Sequence, residues 1–241
     1  MGLKIENLTV SYDRHPAIHH IHGEFAKGSL TAIAGPNGGG KSTLLKAIAG
    51  LVDIEQGRIR REPEQARLAY LPQATEINRE FPILLHDFLA VAAEQKNAFW
   101  NALGSDRQEA VERALSAVNL SGFGMRPLQS LSAGQFQRVL FARVLLMNAD
   151  IILLDEPFSA VDEKTLPLLL QLMQAWHGQG KTILCVLHDV NLIQNLFPQT
   201  LLLGRSVIAW GDTPAVMTPE NVQRLQGFHE AWREQAGVCA P

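Results

Sequence analysis

Cysteine is nearly absent: 241 residues contain two, Cys185 and Cys239, so no disulfide framework is available. Cys185 lies in the apolar run "TILCVLHD", which suits a reducing compartment. Long apolar stretches are missing too. The most hydrophobic segments, such as "ADIILLDEP", are of strand length and end in carboxylates, far short of the roughly 18 residues a spanning helix needs. Nor is there an excess of positive charge. Lys and Arg number 21 against 24 Asp and Glu, a formal charge of −3, which argues against a nucleic-acid partner. The opening "MGLKIENLTV" lacks a basic region followed by an apolar one, so no secretory signal is predicted. It also carries Glu6 where a myristoylation site needs Ser or Thr. No internal repeat or low-complexity tract is seen.

What is present is the composition of a soluble globular chain, 46% hydrophobic and 19% charged. Strands are predicted at "LKIENLTVSY", "AIHHIHGEFAKG" and "SLTAIAGP", the last apolar enough to be buried on both faces. A glycine-rich turn and the helix "STLLKAIAGLV" follow, then short strands at "GRIR" and "RLAYLPQ". Residues from about 74 to 147 read mostly as helix: "LLHDFLAVAAEQ", "DRQEAVERALSAVNL" and "AGQFQRVLFARVLLMNA". Strand and helix alternate again through "DIILLDEP", "KTLPLLLQLMQAWHGQG", "KTILCVLHD" and "QTLLLGRS". The expectation is an α/β core with a mostly parallel sheet, interrupted by a helical insertion. The end, "FHEAWREQAGVCAP", is expected to form a short helix and a tail of unassigned role.

Gly35–Ser42, "GPNGGGKS", fits the pattern G-x-x-x-x-G-K-[ST] between a predicted strand and helix. Glycines at such spacing let successive N–H groups turn inward on phosphate oxygens at a helix N-terminus. Lys41 would reach the β- and γ-phosphates and Ser42 would hold Mg²⁺. A chance glycine turn would not have these flanks, and nucleotide binding is the reading. The strand "IILLDEP" ends in Asp155 and Glu156, carboxylates costly to bury without a cation or hydrogen bonds. Asp155 suits a Mg²⁺ shell and Glu156 a general base acting on water. In "LSAGQFQR", Ser132 and Gln135 form a capping-box pattern, and the same capped helix start is also an anion site. Both readings can hold at once.

Taken in order, these motifs resemble the ATP-binding-cassette (ABC) transporter ATPases, and the resemblance spans nearly the whole chain. It rests on the glycine-rich loop, Gln73 in "YLPQ", "LSAGQ", "LLDEP", "SAVD" and His188 in "LHD". It implies a P-loop NTPase core with a peripheral antiparallel β subdomain and an inserted helical subdomain at about 74–147, the whole of 1–241 being one nucleotide-binding domain. By the resemblance, ATP and Mg²⁺ are bound. Tyr12 stacks on adenine, and Gly35, Pro36, Asn37, Gly38, Gly39, Gly40, Lys41, Ser42 and Thr43 wrap the phosphates. Ser42, Gln73 and Asp155 hold the magnesium, Glu156 is the base, Gln73 also meets the attacking water, and His188 senses the γ-phosphate. Ser132, Ala133, Gly134 and Gln135, with Asp162, meet the ATP of a second copy of the chain in a head-to-tail dimer. Two departures stand out. Ala133 replaces the usual Gly, placing a methyl near the partner's phosphate, and Gly39 replaces the commoner Ser or Ala, expected to be harmless.

The resemblance further implies integral membrane permease subunits, a separate solute-binding protein and a peripheral place on the cytoplasmic membrane face. A long coiled coil or a second cassette, which DNA- and ribosome-associated members carry, is missing. The segment "YLPQATEINREFPILLHDFLAVA" is similar to that of zinc and manganese importers, with siderophore or haem import as the alternative. The histidine cluster His15, His19, His20 and His22 raises a separate question. On a regular strand His20, His22 and Glu24 share a face and His19 points away. That supplies at most three donors, and a zinc site needs a closed set of three or four, so a solvated strand face is expected.

Overall fold

The structure is a computed structural model, and it describes residues 2–13, 15–94, 104–159 and 161–224. The predicted helix and tail after residue 224, Cys239 included, lie outside the described residues. Two sheets organise the chain. One is three-stranded and antiparallel, in the order β2 (His15–Phe25), β1 (Gly2–Tyr12), β4 (Gln56–Glu62). The other has six strands, ordered β5 (Leu68–Leu71), β6 (Ile151–Asp155), β7 (Thr182–Val186), β3 (Leu30–Ala34), β8 (Gln199–Gly204) and β9 (Ser206–Asp212). The strands from β5 to β8 run parallel, and β9 turns back antiparallel along β8.

The central strands β3, β6 and β7 are buried at every position, as an apolar run covered on both faces must be. Alternate residues serve two cores. Ala32, Ile152, Leu154, Ile183 and Cys185 face one with Phe136, Phe141 and Trp176. Ile33, Ile151, Leu153, Leu184 and Val186 face the other, with Leu44, Leu45 and the inner face of the small sheet. Tilted packing of Phe25 on Trp210, 4.5 Å between ring centres, joins the small sheet to β9. Gly23 permits this approach, since a Cβ there would stand 2.3 Å from the Trp210 ring.

Helix α1 (Lys41–Ala49) follows β3 through the glycine-rich turn. The segment between β5 and β6 contains a 3-10 turn at Ala74–Glu76, then α2 (Leu85–Glu94), α3 (Gly104–Ala117) and α4 (Ala133–Met147). These pack apolar side chains such as Leu85, Leu89, Val111, Leu115 and Leu140 into the first core. Helices α5 (Leu166–Gly178), α6 (Val190–Leu196) and α7 (Thr213–Val216) complete the layer. Strand β9 escapes the sequence reading, which stops at "QTLLLGRS". The turn that launches it puts Arg205 at φ 67°, a left-handed conformation unusual for arginine.

A bulge alters the alternation expected for the histidine strand. Asn7 and His20 both take left-handed φ, 50° and 54°, and their side chains meet with His20 Nδ1 2.9 Å from Asn7 Oδ1. The extra residue lets Ile18 and Ile21, three apart, both face the core. His20, His22 and Glu24 are exposed, and His19 is half-buried. Among the described residues no group of three His, Cys, Asp or Glu side chains is placed to hold a metal ion.

Candidate active site

The C-terminal ends of parallel strands are where an open α/β sheet presents its site. Here β3 delivers the glycine-rich turn and β6 delivers Asp155 and Glu156. The turn is shaped by close packing. A Cβ on Gly35 would lie 1.9 Å from the Leu203 carbonyl oxygen, and one on Gly40, at φ 86°, would strike Ile18 and the Ala17 carbonyl. Gly39 is more than a tolerated replacement: its Cβ would come 2.9 Å from the carbonyl oxygens of both Leu203 and Pro36. The loop is pinned there because Arg205 N–H donates to the Gly39 carbonyl at 2.9 Å.

A cleft of about 400 Å³ opens over this turn. Tyr12, His15, Asn37 to Thr43, Gln73 and Glu156 line it. Tyr12 is 48% exposed at the rim, an aromatic face free to stack. Lys41 is buried, and its ammonium donates to the Gly35 and Pro36 carbonyls at 3.0 and 2.8 Å. Burial pulls its pKa below the usual lysine range, against the opposing pull of Glu156 and Asp155. An anion arriving in the cleft would strengthen the charged form.

Asp155 is fully buried, and its Oδ1 has no hydrogen-bond partner. Tyr70 donates its hydroxyl to the other oxygen at 3.3 Å. Burial raises the Asp155 pKa, with Glu156 and Glu76 adding to the rise and the Ser42 and Tyr70 hydroxyls working against it. An orphaned carboxylate oxygen beside a serine hydroxyl is the oxygen-rich setting a magnesium ion takes, so these residues fit that ion.

Glu156 holds a left-handed φ of 49°, a conformation costing about 1–2 kcal/mol for a residue with a Cβ. The turn beyond it holds the strain in place: Ser159 donates to the Glu156 carbonyl from its amide at 3.2 Å and its hydroxyl at 2.8 Å. His188, from the end of β7, sets Nε2 2.7 Å from Glu156 Oε1. Partial burial raises the Glu156 pKa, but hydrogen bonds from His188 and Gln73, with His188 and Lys41 charge, outweigh it and leave the pKa lowered.

The signature segment stands apart. Among the described residues lining the cleft, none comes from 132–135. Ser132 Oγ accepts from the Gln135 amide at 3.2 Å, and Gln135 Oε1 accepts from the Ser132 amide at 3.0 Å, the reciprocal capping box at the head of α4. Asp162 accepts from the Lys164 and Thr165 amides at 3.0 and 2.9 Å and from the Thr165 hydroxyl at 3.0 Å. Those bonds, Thr165's first, lower its pKa. A Cβ on Gly134 would sit 3.4 Å from Asp162 Oδ2, so the two motifs adjoin within one chain. Ala133 lines a second groove with Phe136, Gln137 and the loop 77–80. The fold therefore brings Tyr12, Asn37 to Thr43, Gln73 and Glu156 to one cleft, with His188 bonded to Glu156 and Asp155 buried next to it in the chain, and exposes a capped helix start elsewhere. Tyr70 and Arg205 escape the sequence reading, since neither belongs to a recognisable pattern.

A P-loop cassette with a strand-end carboxylate pair and a detached helix-capping signature defines an ATP-hydrolysing class of protein. The ABC transporter family matches residues 18–159. The manganese transport system ATP-binding protein MntB of Halalkalibacterium halodurans is 36% identical over 92% of this chain and 90% of its own length. The zinc transport system ATP-binding protein TroB of Treponema pallidum is 35% identical over 94% of this chain and 87% of its own. Among solved structures, the dimeric post-hydrolysis state of the ATP-binding cassette MJ0796, bound to ADP and Pi, superposes with a TM-score of 0.79. It is 25% identical, over 88% of this chain and 98% of that one. The chain belongs to the ABC transporter family and is an ATP-binding, ATP-hydrolysing cassette of it. No described helix is long and apolar enough to cross a membrane.

Proposed function

We propose that this chain is the ATPase subunit of a transporter that imports zinc or manganese, acting as one nucleotide-binding domain peripheral to the cytoplasmic membrane face. The observation that carries the hydrolytic part is the carboxylate pair: Asp155 with an orphaned oxygen beside Ser42, and Glu156 aimed into the same cleft and held by His188. ATP enters with adenine against Tyr12 and its phosphates on the amides of the glycine-rich turn. Lys41 exchanges its two carbonyl partners for phosphate oxygens. Ser42, Gln73 and Asp155 would hold a magnesium ion, which when bound screens the phosphate charge. Glu156 takes a proton from the attacking water, oriented by Gln73. His188, bonded to Glu156 at 2.7 Å, would sense the terminal phosphate beside that carboxylate.

Ser132, Ala133, Gly134 and Gln135 line none of the cleft of their own chain, which supports their serving the ATP of another. A second copy, related head to tail, brings its capped α4 start to that ATP, with Asp162 alongside. Loss of the γ-phosphate removes the charge that bridges the copies, and the pair opens. The groove of loop 77–80 and α4 receives a cytoplasmic helix of a membrane permease, which a separate solute-binding protein supplies with cargo. The names of the manganese and zinc relatives support the cargo assignment. Cellular metal content, element by element, tests it in strains carrying the native chain or Glu156→Gln. Zinc or manganese should fall in the mutant, and added metal should rescue growth under chelation. Unchanged metals with hydrolysis lost would sink the cargo, and chelated iron and haem would be tested next.

A further inference from the structure

Arg79 belongs to none of the motifs, yet it joins two of them. It lies six residues after Gln73, in the loop that follows the Ala74–Glu76 turn. Its Nη2 donates to the carbonyl oxygen of Leu131, the residue before the Ser132 cap. Its guanidinium carbon lies 4.8 Å from the centre of the Phe136 ring, one turn into α4. Phe136 is fully buried and cannot retreat, so the guanidinium is held by a ring face and a carbonyl together. Its Nε is buried with no partner. Removing Arg79 would free the backbone immediately ahead of the helix start.

The connections continue on both sides. Upstream, Lys46 of α1 bonds Glu76 at 2.8 Å, tying the same loop to the helix that begins at the phosphate turn. Downstream, buried Gln137 of α4 donates to the Pro157 carbonyl at 2.6 Å, next to Glu156. A contiguous path thus runs from α1 through the Gln73 loop and Arg79 to the head of α4 and the Glu156 turn. Arg79 is its sole described side-chain bond between loop 77–80 and residues 131–135.

We propose that Arg79 is a positioning residue that transmits displacement of the Gln73 loop to the N-terminus of α4. Nucleotide drawing on Gln73 pulls the loop, and the planar fork carries that pull to Leu131 and the cap. Arg79 also lines the groove of about 410 Å³ formed with Ile77, Ala133 and Phe136, so a permease helix seated there would bear on the same group. This second role rests on the docking proposed above.

The test uses the full chain at a concentration where light scattering shows a monomer. Hydrogen exchange of amides 132–136 is followed with and without Mg²⁺ and a non-hydrolysable ATP analogue, in the native chain, Arg79→Met and Arg79→Lys. Nucleotide should slow exchange at these amides in the native chain. In Arg79→Met, which keeps bulk but no donor, that response should shrink about tenfold, the scale of one charge-assisted hydrogen bond. Affinity for the analogue should stay within about twofold, and Arg79→Lys, with charge but no planar fork, should fall between. An equal response in Arg79→Met and native chain overturns the proposal, as does no response in the native chain. So does a loss of analogue affinity that matches the loss of response, because that marks general unfolding. Permease stimulation of the native ATPase reads the docking separately. Its absence would sink that reading while the exchange result stands.

Discussion

His188 Nε2 sits 2.7 Å from Glu156 Oε1, closing a contact between the ends of two strands that share a long edge, β6 and β7. Glu156→Gln should keep the geometry and lose the base. Hydrolysis should drop by about 10²–10⁴-fold while ATP affinity is retained, read by single-turnover kinetics beside equilibrium binding.

The same contact sets a pH dependence. The Glu156 pKa is lowered in the folded chain, below its ordinary 4.5, with burial opposing and His188 and Gln73 prevailing. A depressed carboxylate stabilises the fold above its unfolded pKa and loses that contribution as pH falls through the folded value. His188→Ala should therefore lower the thermal midpoint near neutral pH. The gap to the native chain should close as pH falls below about 4.5, followed by calorimetry across pH 3–7.

Asp155 carries the opposite sign. A buried carboxylate with an orphaned oxygen disfavours the nucleotide-free fold by about 1–3 kcal/mol. Asp155→Asn should raise the midpoint of the nucleotide-free protein by a few degrees, at about 2–4 °C per kcal/mol for a chain of this size. Added magnesium and ATP should stabilise the native chain and leave the variant nearly unmoved. A lower midpoint in the variant would contradict the reading.

Gly39→Ser restores the residue commoner in resembling sequences, and it should be harmful here. The new Cβ meets two backbone oxygens at 2.9 Å, neither able to yield without moving the loop. Overpacking of this kind costs about 1–3 kcal/mol, and titration calorimetry should find ATP affinity weakened by roughly tenfold. Unaltered affinity would mean that β8 gives way.

Tyr12→Ala separates binding from stability. The ring is about half exposed in the nucleotide-free cleft, so the thermal midpoint should hold. ATP affinity should fall by a factor of about two to ten, the worth of one stacked pair.

Spacing made the site legible because its chemistry is local: a phosphate turn, a carboxylate pair and a capping box are each written in under ten residues. Strand positions and burial followed from apolar runs such as "IILLD", buried at all five positions, whereas the order of strands across the sheet did not. The bulge at Asn7 and His20 was not legible, since nothing local announces that Ile18 and Ile21 must both reach the core. Strand β9 was hidden behind a turn built on Arg205 rather than glycine. Arg79 was invisible for a related reason. Its partner Leu131 lies 52 residues away, and only the packed helices bring the two together.

Strand β4 ends the small sheet, and a terminal strand offers unpaired amides and carbonyls to any passing chain. Here it presents Arg58, Arg60 and Arg61 to solvent, with Glu6 of the neighbouring strand paired to Arg58. Two identical edges so charged repel each other, which opposes sheet-to-sheet aggregation at this margin. Crowding at high expression therefore meets a charged margin rather than an open edge, and a sheet margin has no natural stopping point of its own.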